Sequence, residues 1–248
     1  MTTPLLPAFT GAPDLNRVYH CDALTLLRAL PDESVDLIVT DPPYGVGTQV
    51  SARRLPALRF GEIIGADSIN DTWLVDAYRV LRDGAAAYIF AKWVNMGDWK
   101  TAIESAGFAV KNCIIWDKMQ HGTGDLQGAY GPQYEMILFA VKGRHVLRGI
   151  RQTDIIRYPK VQPNHLTHPY QKPVGLLQKL IRASTDRGDV VIDCFSGSGV
   201  TGEAARLEHR DFILSDLDTN YATIARRRLE QPYTPDMFAL AELQANGD

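Results

Sequence analysis

Two short stretches carry the residue types that could do chemistry. Asp41-Pro42-Pro43-Tyr44 places a carboxylate, two φ-locked rings and a phenol side by side. Such a set can accept hydrogen bonds from a polar group and stack on a flat ring, with the prolines fixing the acceptors before anything binds. Asp193-Cys194-Phe195-Ser196-Gly197-Ser198-Gly199 is a glycine turn, able to bring main-chain N–H groups close to a ligand. Each stretch closes an apolar run, Val35–Thr40 in one case and Asp189–Ile192 in the other. In open parallel sheets, ligands bind beyond the carboxyl ends of the strands. Two such turns in one sheet could hold the two partners of a group transfer face to face.

Taken singly, the glycine turn could be a bare bend, and Asp41–Tyr44 a rigid strand end with a packed tyrosine. Asp216 changes the balance, because it closes the next apolar run, Phe212-Ile213-Leu214-Ser215. An acid about twenty residues beyond a glycine turn suits the hydroxyls of a ribose. Gly197, Gly199 and Gly202 satisfy the G-x-G-x-x-G pattern literally. Asp193 and Phe195, however, stand where a diphosphate binder keeps small, uncharged contacts. A carboxylate there repels a diphosphate and tolerates a cationic amino-acid group. Charge therefore favours S-adenosylmethionine (SAM), whose ammonium and sulfonium are both positive, with NAD as the alternative. Opposite such a donor, Asp41 and the Pro42 carbonyl could accept the hydrogens of an exocyclic base amine and localise its lone pair. Tyr44 could stack on a base taken out of its helix.

These turns need strands to carry them, and strand and helix patterns alternate along nearly the whole chain. Arg17–His20 reads as a short strand, Ala23–Leu30 as a helix stopped by Pro31, and Val35–Val39 as a strand buried on both faces. Residues 45–67 form a long irregular loop holding Arg53, Arg54 and Arg59. Leu74, Ala77, Tyr78 and Leu81 keep a helical period that Gly84 should stop. Ala85–Ala91, Phe108–Trp116 and Tyr134–Val141 read as strands, with a helix over 94–106 and a glycine-rich loop over His121–Pro132. A helix begins at Val174; strand 189–193, helix 200–208, strand 211–215 and helix 219–230 follow, then a tail over 231–248. The pattern predicts an α/β fold with a doubly wound, mostly parallel sheet and a single domain over 1–248.

Composition narrows the function classes. Hydrophobic residues make up 45% and charged residues 22%, which is ordinary for a globular protein. No apolar run is long enough to span a bilayer, and the first residues lack a secretory pattern, so a cytoplasmic protein away from membranes is expected. Cys21, Cys113 and Cys194 are scattered, and His165 and His168 are flanked by prolines, so no metal is expected. The net charge is −3, yet Lys142, Arg144, Arg148, Arg151, Arg157 and Lys160 stand together, opposed only by Asp154. A basic run on a mildly acidic body suggests a localised polyanion contact, a solvated loop being the plainer alternative.

The ordered set of motifs resembles the DNA amino-methyltransferases that modify adenine at N6 or cytosine at N4. Within them it is similar to the β group, in which the catalytic tetrapeptide precedes the cofactor region. The resemblance rests on His20–Ala23, Leu30–Leu37, Asp41–Tyr44, Leu81–Gly84, Trp116–Lys118, Tyr134–Phe139, His168–Pro173 and Asp193–Gly199, with Asp216 and Tyr221. It implies a circularly permuted Rossmann-like methyltransferase fold that uses SAM on double-stranded DNA. It also implies a homodimer and a possible cognate restriction endonuclease. Asp41, Pro42, Pro43 and Tyr44 would handle the target base. Asp193, Phe195, Ser196, Gly197, Ser198 and Gly199 would shape the methionine end of the cofactor pocket, and Asp216 would bind ribose. Asp22 would lie near the cofactor's adenine, its plainer role being a helix N-cap, and Gln171 and Lys172 would reach the cofactor's carboxylate. DNA contacts would come from Arg53, Arg54, Arg59, Lys142, Arg144, Arg148 and Arg151, with 142–167 as a short basic target-recognition segment. N6 of adenine is the expected target. The alternatives are N4 of cytosine, an amine in RNA, a protein amide, and a catalytically silent DNA-binding relic.

Overall fold

The computed structural model describes residues 11–43, 69–122, 127–161, 166 and 171–235. In chain order the elements are β1 (Arg17–His20), α1 (Ala23–Ala29), β2 (Val35–Thr40), α2 (Leu74–Val80), β3 (Leu81–Ala91), α3 (Met96–Ser105) and β4 (Ala109–Asp117). They continue with β5 (Tyr134–Val141), β6 (Ile155–Arg157), α4 (Val174–Ser184), β7 (Val190–Asp193), α5 (Val200–Leu207), β8 (Asp211–Asp216) and α6 (Thr219–Glu230). The strands form one sheet in the order β1-β8-β7-β2-β3-β5-β4-β6. β5 pairs antiparallel with both β3 and β4, and the other pairings are parallel. All strands but β5 therefore run in one direction.

The alternation of side chains along the strands sorts the helices into two layers. Leu37, Val39, Ala86, Tyr88 and Phe90 point to one face and pack with Leu177 and Ile181 of α4, Ala204 of α5 and Ala225 of α6. Ile38, Ala87, Ile89 and Ala91 point to the other and pack with Leu26 of α1, Ala77 of α2 and Ile103 of α3. β2 lies mid-sheet, which explains its nearly unbroken apolar run. Its one charged side chain, Asp36, accepts a 2.8 Å bond from the Val190 amide and a 2.5 Å bond from Arg82. Among the described residues no helix is long and apolar enough to cross a membrane.

Two expectations are corrected, and one strand direction is new. Gly84 does not stop α2, which ends at Val80 and passes directly into β3. Instead Gly84, at φ +81°, sits where the β2–β3 register shifts between Val35 and Leu37, and its amide bonds to the Lys142 carbonyl at 2.8 Å. The left-handed conformation favours glycine at this bulge. The basic stretch, whose plainer reading was a solvated loop, holds a strand, β6, paired with the last residues of β4. Most consequential is β5. Because it runs against its neighbours, it starts at the edge where β2 and β7 end and finishes at the opposite edge.

From β2 the chain winds outward to β3, and from β7 it winds the other way to β8. The crevice between β2 and β7 is thus the point where winding reverses, the expected place for a ligand. Gly202 sets how closely α5 approaches β8: a Cβ there would lie 2.8 Å from Leu214 Cδ1 and 3.2 Å from Phe212 Cδ2. Gly202→Val should lower unfolding stability by about 1–3 kcal/mol through overpacking, measured by chemical denaturation; an unchanged midpoint would refute this account of the packing.

Candidate active site

Thr40 ends β2 and Asp193 ends the neighbouring β7, so the two motifs meet side by side. The Asp193 carboxylate is buried and accepts three hydrogen bonds. Thr40 Oγ1 donates at 2.7 Å, the Phe195 amide at 3.0 Å, and Thr201 Oγ1 at 2.6 Å. Burial pushes its pKa up to about 6, against the pull of those donors. Asp193 was expected to face a cationic group; the three donors bonded to it lie within the protein.

The turn itself is braced from several sides. Gly197 and Gly199 take positive φ, 50° and 78°, as an L side chain rarely does. At Gly199 a Cβ would also lie 2.8 Å from Ala225 Cβ, so this glycine serves α6 packing as well as conformation. The Ser196 amide donates to the Ser215 carbonyl at 2.9 Å, and Arg228 Nε to the Ser198 carbonyl at 2.8 Å. Arg228 also pairs with buried Glu203 at 2.8 Å. The Phe195 ring meets the edge of Trp73 at 5.4 Å between centroids, and Trp73 is tilted against Trp99 at 6.5 Å.

Asp216 stands at the carboxyl end of β8 and accepts from the Gly197 amide at 2.8 Å and the Asp218 amide at 2.9 Å. Burial raises its pKa, with those amides opposing. It ties the glycine turn to β8. Asp22 follows β1 at the same edge, β1 being paired with β8 through His20 and Asp216. It caps α1, accepting from the Thr25 amide at 2.9 Å and Thr25 Oγ1 at 2.7 Å. Burial works to raise its pKa, but the Thr25 bonds outweigh it and hold the carboxyl below its usual range. The capping role is therefore present.

Asp41 follows β2, with Pro42 buried behind it. Lys172 was expected at a cofactor carboxylate, but its ammonium bonds instead to Asp41 Oδ2. It lies 3.2 Å from Glu135 Oε2 and 4.8 Å over the Phe90 ring. Glu135 pairs in turn with Lys118 at 3.3 Å. Burial would drive the Lys172 ammonium toward neutrality, but the Asp41 and Glu135 carboxylates outweigh it and raise its pKa. Glu135 is likewise buried, yet Lys172 and Lys118 hold its pKa low. Lys92, beside the same group, has its pKa lowered by burial. Lys118 and Glu135 lie in stretches that carry the resemblance but were given no role, and Lys92 was not singled out; a charge at the edge of an apolar strand was the further signal. Gln171 is half-buried beside Lys172. Tyr44, Arg53, Arg54, Arg59 and the loop 45–67 lie outside the described residues, as do His165 and His168.

The basic run divides. Lys142 bonds to the Leu81 carbonyl at 2.7 Å and pairs with Glu33 at 3.3 Å, while Arg148 pairs with Asp186 at 3.1 Å. The Arg144 carbonyl lies beside Gly84. These contacts belong to the amino edge of β2 and β3, about 20 Å from the catalytic turn for a strand of this length. Lys142, Arg144 and Arg148, expected at DNA, thus stand at the edge away from that turn, because antiparallel β5 carries the chain there. Arg151 is exposed on the passage back. Arg157 then returns beside Asp117 at the catalytic edge, its side chain 76% exposed, with Lys160 three residues on. The described part of the segment expected to recognise the target, 142–161, thus reaches both edges of the sheet.

A family model described as DNA methylase matches residues 35–227. The chain is 31% identical to DNA adenine methyltransferase YhdJ of Escherichia coli strain K12, covering 93% of this chain and 89% of that protein. It is 30% identical to Type II methyltransferase M2.DpnII of Streptococcus pneumoniae, covering 85% and 88%. Among solved structures it is similar to the M1.HpyAVI–SAM complex, with a TM-score of 0.66, 25% identity, and coverage of 86% of this chain and 98% of that one. The cytosine-N4-specific PvuII DNA methyltransferase shares the fold, with a TM-score of 0.70 at 16% identity over 97% of each chain.

Removing one donor from a buried carboxylate should be felt mainly when the group is ionised. Asp193 has a folded pKa of about 6 against 3.8 for a free carboxyl. The folded state therefore holds this proton more tightly than the unfolded chain. That contribution to stability is full below 3.8 and is lost as pH rises through about 6. Thr201→Val should cost about 1–3 kcal/mol at pH 8 and clearly less at pH 5, measured by chemical denaturation at both values. An equal loss at both would count against ionised Asp193 as the acceptor.

Proposed function

Since this chain belongs to the N6/N4 family of DNA methylases and is a SAM-dependent DNA amino-methyltransferase, we propose that its target is the N6 amine of an adenine flipped from double-stranded DNA. The observation that carries this reading is the Thr40–Asp193 bond, which fixes the Asp41 turn against the glycine turn at the crevice between β2 and β7. The named adenine specificity of YhdJ favours N6 over N4 of cytosine.

The residues at the crevice fit the cofactor. Ser196 and Ser198 hydroxyl oxygens are buried in the turn without hydrogen-bond partners, as groups awaiting a polar ligand would be. The surrounding acids Asp22, Asp193 and Asp216 suit a cation and would oppose a diphosphate. When bound, SAM supplies an electrophilic methyl group. In this reading the glycine turn holds the methionine end, Asp216 takes ribose hydroxyls with its remaining lone pairs, and Asp22 lies toward the adenine. Asp41 and the Pro42 carbonyl accept the amine hydrogens, which directs the nitrogen lone pair outward. Pro43 keeps the turn rigid, and Tyr44 is assigned the stacking role. The acceptors are worth most as the nitrogen becomes cationic, so they lower the barrier more than they tighten binding.

DNA lies, in this reading, across the carboxyl edge. Arg157, Lys160 and Lys118 supply positive charge there, and Trp93, 71% exposed just after β3, offers an aromatic face. A homodimer would use the opposite side, where Val146, Leu147 and Ile150 are exposed. The Type II names among the relatives favour a cognate endonuclease, and DNA as substrate favours the cytoplasm.

Asp41→Asn replaces one acceptor oxygen with a donor and should lower kcat by at least about 100-fold while leaving the SAM dissociation constant within error. Nucleoside digestion and mass spectrometry of DNA treated with the native enzyme should give N6-methyladenine; N4-methylcytosine alone would overturn the choice of base. Arg157→Ala should reduce the slope of log K against log salt by about 0.9, whereas Arg148→Ala should leave it unchanged. The reverse pattern in DNA titrations would put the duplex on the amino edge.

A further inference from the structure

The chain of charges beside Asp41 is more than local pairing. Asp41 comes from just past β2, Phe90 from β3 and Lys92 from just past it, Glu135 from the start of β5 and Lys118 from just past β4, while Lys172 precedes α4. Lys172 therefore draws together groups from four neighbouring strands, with its side chain only 6% exposed. Its ammonium touches Asp41 Oδ2 on one side, Glu135 Oε2 at 3.2 Å on another and the Phe90 face on a third. Glu135 Oε2 is buried and lacks a hydrogen bond of good direction, even at this ion-pair distance. A buried carboxylate oxygen left so is costly unless something uses it.

We propose that Lys172 is a positioning residue for methyl transfer, which orients Asp41, keeps it anionic, and moves onto Glu135 Oε2 when Asp41 turns to the target amine. Glu135, anchored by Lys118, gives the buried ammonium a second partner, so that Asp41 can engage the base without leaving an unpaired charge in a dry site. Without that partner, releasing Asp41 would carry the desolvation penalty of an isolated ion. The charged groups facing Asp41 also include Lys92, and Asp193 opposes them as a like charge from β7. Among the described residues, Lys172 is the cation bonded directly to the carboxylate.

The inference rests on Asp41 as the acceptor of the amine hydrogens. The test uses the full-length enzyme with DNA and SAM, and compares native protein with Lys172→Met, Lys172→Arg and Glu135→Gln. Each is assayed for kcat, KM for DNA, SAM affinity by calorimetry, and the pH profile of kcat. Lys172→Met should lower kcat by about 100-fold with SAM affinity nearly unchanged, and its acid limb should move to higher pH because Asp41 has lost its counter-charge. Lys172→Arg should restore part of kcat and return the acid limb toward the native position. Glu135→Gln should lower kcat with little change in KM. Loss of SAM affinity parallel to loss of activity would return Lys172 to the cofactor's carboxylate and overturn the proposal. An acid limb that stays put would reduce the role to packing and overturn it equally. Should Lys172→Met fail to fold, the two near-isosteric variants carry the same readouts. Native activity on adenine checks the underlying assignment separately, since full kcat in the Lys172 variants would refute only the positioning role.

Discussion

A single buried carboxylate holds the two halves of this protein in register. Asp193 takes one hydroxyl from β2, one from α5 and one amide from its own turn. The catalytic turn and the cofactor turn are widely separated in sequence, and the Thr40 bond converts that separation into direct contact. A neutral residue could fill the space but could not hold three donors at once. The cost is a carboxyl kept partly toward its protonated form, which ties the geometry of the crevice to pH. Around that point the bracing is layered: Asp216 holds Gly197, Arg228 holds Ser198, and the Phe195 ring leans on Trp73. The turn is thus built before any ligand arrives, as a site that acts through preset acceptors requires.

The second organising fact is the direction of β5. It brings Glu135 to the catalytic edge and delivers Lys142 to the far one, separating an acid needed at the site from bases that share its strand or follow it. β6 then returns Arg157 to the working edge. Charge that looks continuous along the chain becomes divided in space, with pairs such as Arg148–Asp186 bracing the amino edge.

What the sequence made legible follows from this. Period and composition sufficed for β2, α4, β7 and α6, because each buries a face whose pattern is local. Asp22 as the cap of α1 was equally visible, since the bond to Thr25 spans one helical turn. The membership of Asp41 and Asp193 in one site was also readable, because both close apolar runs and parallel strands expose such ends at one edge. Strand direction was not readable: β5 has the same apolar texture whichever way it runs, and only its pairing with β3 and β4 decides. For the same reason the contacts of Lys172 with Asp41 and Glu135 were not readable, those carboxylates lying beyond β2 and on β5 rather than nearby in sequence. Gly84 misled because a glycine after a helical run has two uses, a cap or a bulge, and the choice depends on the strand beside it. β6 was too short, at three residues, to show a period.

The outermost pairing has a consequence for how the chain is made. Among the described residues, β1 has β8 as its only sheet neighbour, with Arg17 opposite Ile213. A ribosome adding about 5–20 residues per second would leave β1 without its partner for roughly 10–40 seconds. During that interval the catalytic turn has already emerged, while Asp216 has not been made to hold Gly197. The nascent chain thus carries Asp41 well before the glycine turn and its brace. The brace from β8 to the glycine turn therefore forms late, after Asp216 has been made.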